Sequence, residues 1–255
     1  MSRRIAPRRL GVVRCTPDFN VVLFIKVSRR VRVGMTGAAE LIREFEENLI
    51  KWKRSSTLKR QLPWRSECNP WRILVAEILL QQTDAPKAAK VYPVFISRWP
   101  RPEDLSKAEL SEVEEVLRPI GLYRWRARRL VRLAKKLVEE YEGQVPDSLD
   151  ELKKLPGVND YIAAAVLLFA YGQSTPLVDV NIARVIARFF LGREAGERYM
   201  EDKEIWAISS KLTWTKELAY SILDFGWAVC KKRKPACNSC PLRDKCSFIK
   251  HHLSP

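Results

Sequence analysis

Four cysteines stand close together near the end of this chain, in CKKRKPACNSCPLRDKC, residues 230–246. Cys230, Cys237, Cys240 and Cys246 follow the spacing C-x6-C-x2-C-x5-C. Four deprotonated thiols in so short a segment can enclose one metal centre, and thiolate sulfur suits zinc or iron. Zinc sites normally show two C-x2-C pairs held apart by a longer segment, and here there is only one such pair. A single wrap around an iron–sulfur cubane fits the spacing better. The loop between the first two ligands, Lys231-Lys232-Arg233-Lys234, would then be a rigid cationic clamp for phosphate.

Two carboxylates stand out as well. Glu77 lies inside WRILVAEILLQQT, with apolar residues on both sides. On a solvent-facing helix it would be unremarked, but so continuous an apolar run argues against a wet face. A buried carboxylate without a partner is costly, and burial raises its pKa. Asp179 follows Pro176-Leu177-Val178 and opens VNIARVIARFF, where it reads as a helix N-cap.

The elements that position these groups are helical. Apolar periodicity predicts helices over 37–54, 71–84, 86–98, 109–118, 124–142, 148–154, 160–172, 179–191, 202–212 and 216–229. Ser148 and Glu151 form a capping box for the sixth of these. Only 19–33 is strand-like. The expected fold is mainly α, with two helical lobes and a cleft between them. Residues 35–85 with 192–255 would form the cysteine-bearing lobe, and 86–191 the other.

Composition narrows the class of partner. The formal net charge is +16, from 46 basic and 30 acidic residues. Half of that excess lies in residues 1–34, where nine basic residues face the single acid Asp18. Such a balance points to a polyanion, most commonly nucleic acid. The basic opening reads as a nucleic-acid-binding arm, an organellar presequence, or sequence upstream of a start at Met35. No apolar run approaches the roughly 18–20 residues that would span a bilayer. Cys15 and Cys68 stand apart from the other four cysteines, unlike the spread of a secreted disulfide framework. The expectation is a monomer that is not secreted, cytoplasmic or on the nucleoid if prokaryotic.

The stretch LKKLPGVNDYIA, residues 152–163, supplies a way to hold DNA. A helix ends at Pro156-Gly157 and another begins two residues later, which makes a tight helix–turn–helix. Exposed N–H groups of such a turn, with the positive end of the second helix, can meet a phosphate. Lys153 and Lys154 flank the turn, and seven further basic residues lie between Arg124 and Lys136. An ordinary connector between packed helices would share the local pattern.

LPGVNDYIAAAV resembles the helix–hairpin–helix of the DNA glycosylase superfamily that includes endonuclease III, the adenine-DNA glycosylases and the thymine-DNA mismatch glycosylases. The likeness runs from about Gln61 to Phe248. The family turn is usually L-P-G-V-G; here Asn159 replaces the second glycine, and Asn tolerates the left-handed backbone expected there. The cysteine spacing also matches that family's 4Fe–4S loop.

That resemblance implies roles for individual residues. VDVNIARV matches the segment carrying the catalytic aspartate, which makes Asp179 the expected group for stabilising a sugar cation and positioning water. The helix around Glu77 resembles the E-x-x-L-Q-Q-T helix of adenine glycosylases, where the glutamate handles the flipped base; Gln81 and Gln82 would lie near the gap left in the duplex. Gly157, Val158 and Asn159, with Lys231, Lys232, Arg233 and Lys234, would contact the DNA backbone. Tyr161 stands where the bifunctional, strand-cleaving enzymes hold a lysine. A phenol cannot form a Schiff base, so Tyr161 implies base release without strand cleavage.

The implied partner is double-stranded DNA holding a mismatched or damaged base. Only nine residues follow Cys246, whereas the adenine branch carries a further domain that reads 8-oxoguanine. GLYRWRARRL, residues 121–130, lacks the G-L-G-Y-Y wedge of that branch and is one residue shorter. LPWR and LLQQT lean the other way. Thymine or uracil opposite guanine is the expected substrate, with adenine glycosylase as the alternative. A non-catalytic iron–sulfur DNA-binding protein would share the charge and hairpin, and need neither Glu77 nor Asp179.

Overall fold

The computed structural model describes residues 35–58 and 60–252, and no strand occurs among them. The strand expected at 19–33 and the basic arm lie outside the described residues. All ten expected helices are present. They are α1 (Met35–Ser55), α2 (Pro70–Leu80), α3 (Ala85–Arg98), α5 (Leu110–Leu117), α6 (Tyr123–Tyr141), α7 (Leu149–Lys153), α8 (Asp160–Tyr171), α9 (Val180–Ile186), α10 (Lys203–Ser209) and α11 (Lys216–Ala228). Two short helices, α4 (Pro102–Ser106) and α12 (Ser247–His252), are too brief to show a period in sequence.

Local chemistry sets the boundaries. Asn69 caps α2 by accepting from the Arg72 amide at 3.1 Å, and Pro70 occupies the first turn, where no N–H is needed. Ser148 accepts from the Glu151 amide, but the expected capping box is only half formed, because the Glu151 side chain accepts from Tyr141 at 2.9 Å and Lys154 at 2.6 Å instead of returning to Ser148. The helix expected over 71–84 stops at Leu80, because Gln81 turns extended and Gln82 takes a left-handed φ of 52°. The helix expected over 179–191 begins one residue later and widens into a π turn at Ala187–Leu191.

At the centre, α2 packs on α8. Residues Ile73 to Leu79 of α2 and Ile162 to Ala170 of α8 are all buried, so both helices are covered on every side. Ala163, Ala164 and Ala165 let neighbours approach α8 closely. Around this pair, α4 and α5 pack on α6, while α9 packs on α10 and α11. Each buried leucine or isoleucine contributes about 1.5–3 kcal/mol before entropy is counted. An acid at the middle of α2 therefore sits in the most costly place the fold offers.

Candidate active site

That acid is Glu77. Its side chain is buried, and no hydrogen bond or ion pair within the described residues compensates it. Burial, with a smaller contribution from the charge of Asp179, pushes its pKa up to about 8. Glu77 is thus mostly protonated at neutral pH.

Asp179 caps α9, as its sequence position predicts. One carboxylate oxygen accepts from the amides of Asn181 at 2.9 Å and Ile182 at 2.7 Å; the other accepts from the Asn181 side chain at 3.1 Å. Burial raises its pKa, and these hydrogen bonds and Arg184 oppose the rise. Two carboxyl groups with different surroundings can divide acid and base roles.

Tyr161, on the first turn of α8, completes the group. Burial holds its hydroxyl protonated well above the ordinary phenol range, and the charges of Glu77 and Asp179 add to this. The three residues singled out from sequence are therefore close enough to act on one another. Two more tyrosines join them without any sequence signal. Burial and then Asp179 raise the pKa of Tyr199, and burial and then Glu77 raise that of Tyr220. The Tyr220 hydroxyl is buried and has no hydrogen-bond partner among the described residues. Its ring stacks on Phe169 at 4.7 Å and lies beneath the Arg65 guanidinium, also at 4.7 Å.

Arg184 and Arg188, one turn apart, connect this group to the cysteines. Arg184 donates to the Asn181 side chain at 2.9 Å, the Gly226 carbonyl at 2.7 Å and the Cys230 carbonyl at 2.8 Å. Arg188 donates to the carbonyls of Lys231 at 2.7 Å and Lys232 at 3.2 Å, and pairs with Glu194 at 2.6 Å. The side chains of Lys231, Lys232, Arg233 and Lys234 are all exposed. The buried arginine therefore fixes the backbone of the loop and leaves its charges outward.

Cys230, Cys237, Cys240 and Cys246 line one cavity with Phe189, Phe225, Phe248 and Ile249. No three donors among the described residues lie close enough together for a single metal ion. Burial pushes the Cys240 thiol up to about 12, and the other three sulfurs contribute by opposing its ionisation. The four cysteines therefore share one cavity whose other walls are largely apolar.

The hairpin turn forms with one correction. Gly157 takes the left-handed backbone, at φ 92°, and a Cβ there would strike the Arg129 side chain. Asn159 does not: its φ is −98°, and its side chain caps α8 by accepting from the Ile162 amide at 2.9 Å. Asparagine is suited to this position by its side-chain oxygen rather than by tolerance of positive φ. Val158 is buried and its amide already donates to Leu155. Lys153 pairs with Asp160 and Lys154 with Glu151, so their charges are partly matched within the hairpin. Gln81 reaches across to the turn and donates to the Gly157 carbonyl at 3.2 Å, whereas Gln82 is exposed.

A family model described as HhH-GPD superfamily base excision DNA repair protein matches residues 75–211, a span that holds Glu77, the hairpin and Asp179. The chain belongs to this superfamily. A protein of Aeropyrum pernix named thymine-DNA glycosylase is 40% identical to this HhH-GPD chain, over 81% of it and 95% of its own length. The thymine/uracil-DNA glycosylase of Pyrobaculum aerophilum is 37% identical, over 80% and 91%. An adenine DNA glycosylase of Mycobacterium tuberculosis is 36% identical over 80% of this chain, but over 67% of its own. Among solved structures, a thermostable thymine-DNA glycosylase superposes with a TM-score of 0.75 at 30% identity, covering 83% of this chain and 98% of its own. The mainly helical fold expected from sequence is thus the superfamily's. No helix among the described residues is long and apolar enough to cross a membrane.

Proposed function

We propose that this HhH-GPD protein is a DNA glycosylase that hydrolyses the N-glycosidic bond of thymine or uracil mispaired with guanine. The observation that supports the reaction type is that a buried acid, Glu77, with a raised pKa, and a hydrogen-bonded carboxylate, Asp179, lie close enough to influence each other and the Tyr161 hydroxyl. The substrate assignment rests on the thymine- and uracil-named relatives, which match over 91–95% of their own length.

In this reading the target base leaves the stack and enters beside Tyr161, at a cost that a mispair lowers. Glu77, holding its proton, donates to the departing base and makes it a better leaving group. The unpartnered hydroxyl of Tyr220 is a second polar group available to the base edge. Ionised Asp179 stabilises the developing sugar cation and orients water. Tyr161 offers a phenol and no amine, so it cannot form a Schiff base. The product is an intact abasic strand.

DNA would seat on the amides of Gly157 and Asn159 and on the exposed Lys231–Lys234 loop. The four cysteines would hold a 4Fe–4S cluster whose role is to fix that loop. Two lobes would flank the cleft.

Replacing Asp179 by Asn keeps the cap and removes the charge. The variant should bind mismatched duplex with unchanged affinity and release base roughly a thousandfold or more slowly in single-turnover assays. Base release at the wild-type rate would leave a DNA-binding protein with no catalytic carboxylate at this position.

A further inference from the structure

Arg126 is 1% exposed, yet among the described residues all four of its hydrogen bonds go to neutral oxygens, and no carboxylate there pairs with it. It lies on the apolar stripe of α6, in register with Leu130, Leu133 and Leu137. Burying a cation there without a counter-ion is costly. The partners explain what the arrangement accomplishes. The guanidinium donates to the Ile78 carbonyl at 2.9 Å, the Gln81 carbonyl and the Thr83 hydroxyl at 2.7 Å, closing the end of α2. Its Nε donates to the Gly121 carbonyl at 3.2 Å, on the turn before α6. One planar fork therefore holds two separate turns together.

The next residue along each turn has an unusual backbone. Gln82, after Gln81, has φ 52° and is exposed. Leu122, after Gly121, has φ 49° and is 57% exposed. Non-glycine residues hold such conformations only where their surroundings enforce them. The carbonyls just before them share one guanidinium, so an exposed amide and an exposed large apolar side chain leave two neighbouring turns, each on a costly backbone. Arg129, three residues on, reaches the Gln81 side-chain oxygen at 3.4 Å, and Gln81 donates to Gly157. The two turns and the hairpin are thus hydrogen-bonded into one body.

We propose that Arg126 is the positioning residue that sets the spacing of Gln82 and Leu122, so that the pair acts as a wedge opening the duplex beside the target base. The proposal rests on the glycosylase reading and adds to it the group that holds the wedge. Apolar and amide side chains inserted between base steps are a general means of unstacking DNA. A wedge works only if its two tips keep a fixed separation while the stack pushes back.

The test compares two substrates: a T:G duplex with 2-aminopurine next to the mismatch, and the same thymine placed in a short unpaired bubble. With Arg126→Met, the fluorescence rise on binding the duplex should fall, and duplex base release should drop about tenfold or more, while bubble release changes less than about threefold. Arg126→Lys keeps the charge but not the fork and should share the duplex-specific loss. Should Arg126→Met fail to fold, Thr83→Val removes one bond only and should show a smaller loss of the same kind. Equal losses on duplex and bubble, or unchanged fluorescence, would overturn the proposal. If the wild-type protein releases no base from either substrate, the glycosylase reading fails, and the fluorescence of the variants still decides the role of Arg126.

Discussion

The carboxylate of Asp179 and the backbone carbonyl of Cys230 are joined through two side chains. Asn181 donates to Asp179 at 3.1 Å and accepts from Arg184 at 2.9 Å, and Arg184 donates to Cys230 at 2.8 Å. The position of the cysteine loop and the orientation of the proposed catalytic group are therefore set by one guanidinium.

This link makes Arg184 sensitive even to conservative change. Arg184→Lys keeps the charge but cannot span Asn181, Gly226 and Cys230 at once. Single-turnover base release should fall by about tenfold or more while the protein stays folded, because Asn181 loses the contact that aims it. A wild-type rate in a folded variant would detach catalysis from the cysteine loop.

The pH dependence should show two limbs. Asp179 must be ionised, so the acid limb should lie above the ordinary carboxylate range, because burial raises its pKa. Glu77 must be protonated, so activity should decline near pH 8. Glu77→Gln should lose the alkaline limb and about a hundredfold or more in rate. Folding should respond in the same window. The folded state holds the Glu77 proton more tightly than the unfolded chain, so wild-type stability falls as pH rises from about 4.5 to about 8. The stability of Glu77→Gln relative to wild type should grow over that window by ~1 kcal/mol or more, since a tenfold difference in proton affinity between folded and unfolded chain is worth about 1.4 kcal/mol. Urea denaturation at pH 5 and pH 9 measures this; a constant difference would mean that Glu77 is ionised in the fold.

Tyr161 separates base release from strand cleavage. The wild-type protein should leave the abasic strand uncut until alkali is added. Tyr161→Lys places an amine beside Asp179 and should gain borohydride-trappable complex. Trapping at comparable yield by the wild type would mean that another amine reaches the sugar.

Much of this site is legible in sequence because its signals are local. The cysteine spacing, the Pro-Gly break and the cap at Asp179 each fall within a few residues, and Glu77 betrays itself by its apolar neighbours. Asn159 shows the limit of such reading: its residue type is interpretable, but whether it serves as a left-handed turn residue or a cap depends on where α8 begins. Arg126 is one of seven basic residues on a stretch that reads as facing phosphate, yet it points inward. Its place on the stripe with Leu130 and Leu133 is a usable sign, but three of the oxygens that solvate it lie over forty residues away, at and just beyond the end of α2. Tyr199 and Tyr220 are beyond reach, since only tertiary packing brings them to Asp179 and Glu77.

The most direct test of the central claim is the identity of the released base. Four duplexes carrying T:G, U:G, A:G and A:8-oxoguanine pairs would be incubated with excess protein, and the free base and abasic strand followed under single-turnover conditions. Thymine or uracil opposite guanine should be released faster than adenine from either pair, with the strand intact until alkali cleaves it. Faster adenine release would contradict the assignment, and release of no base from any duplex would contradict the glycosylase reading itself.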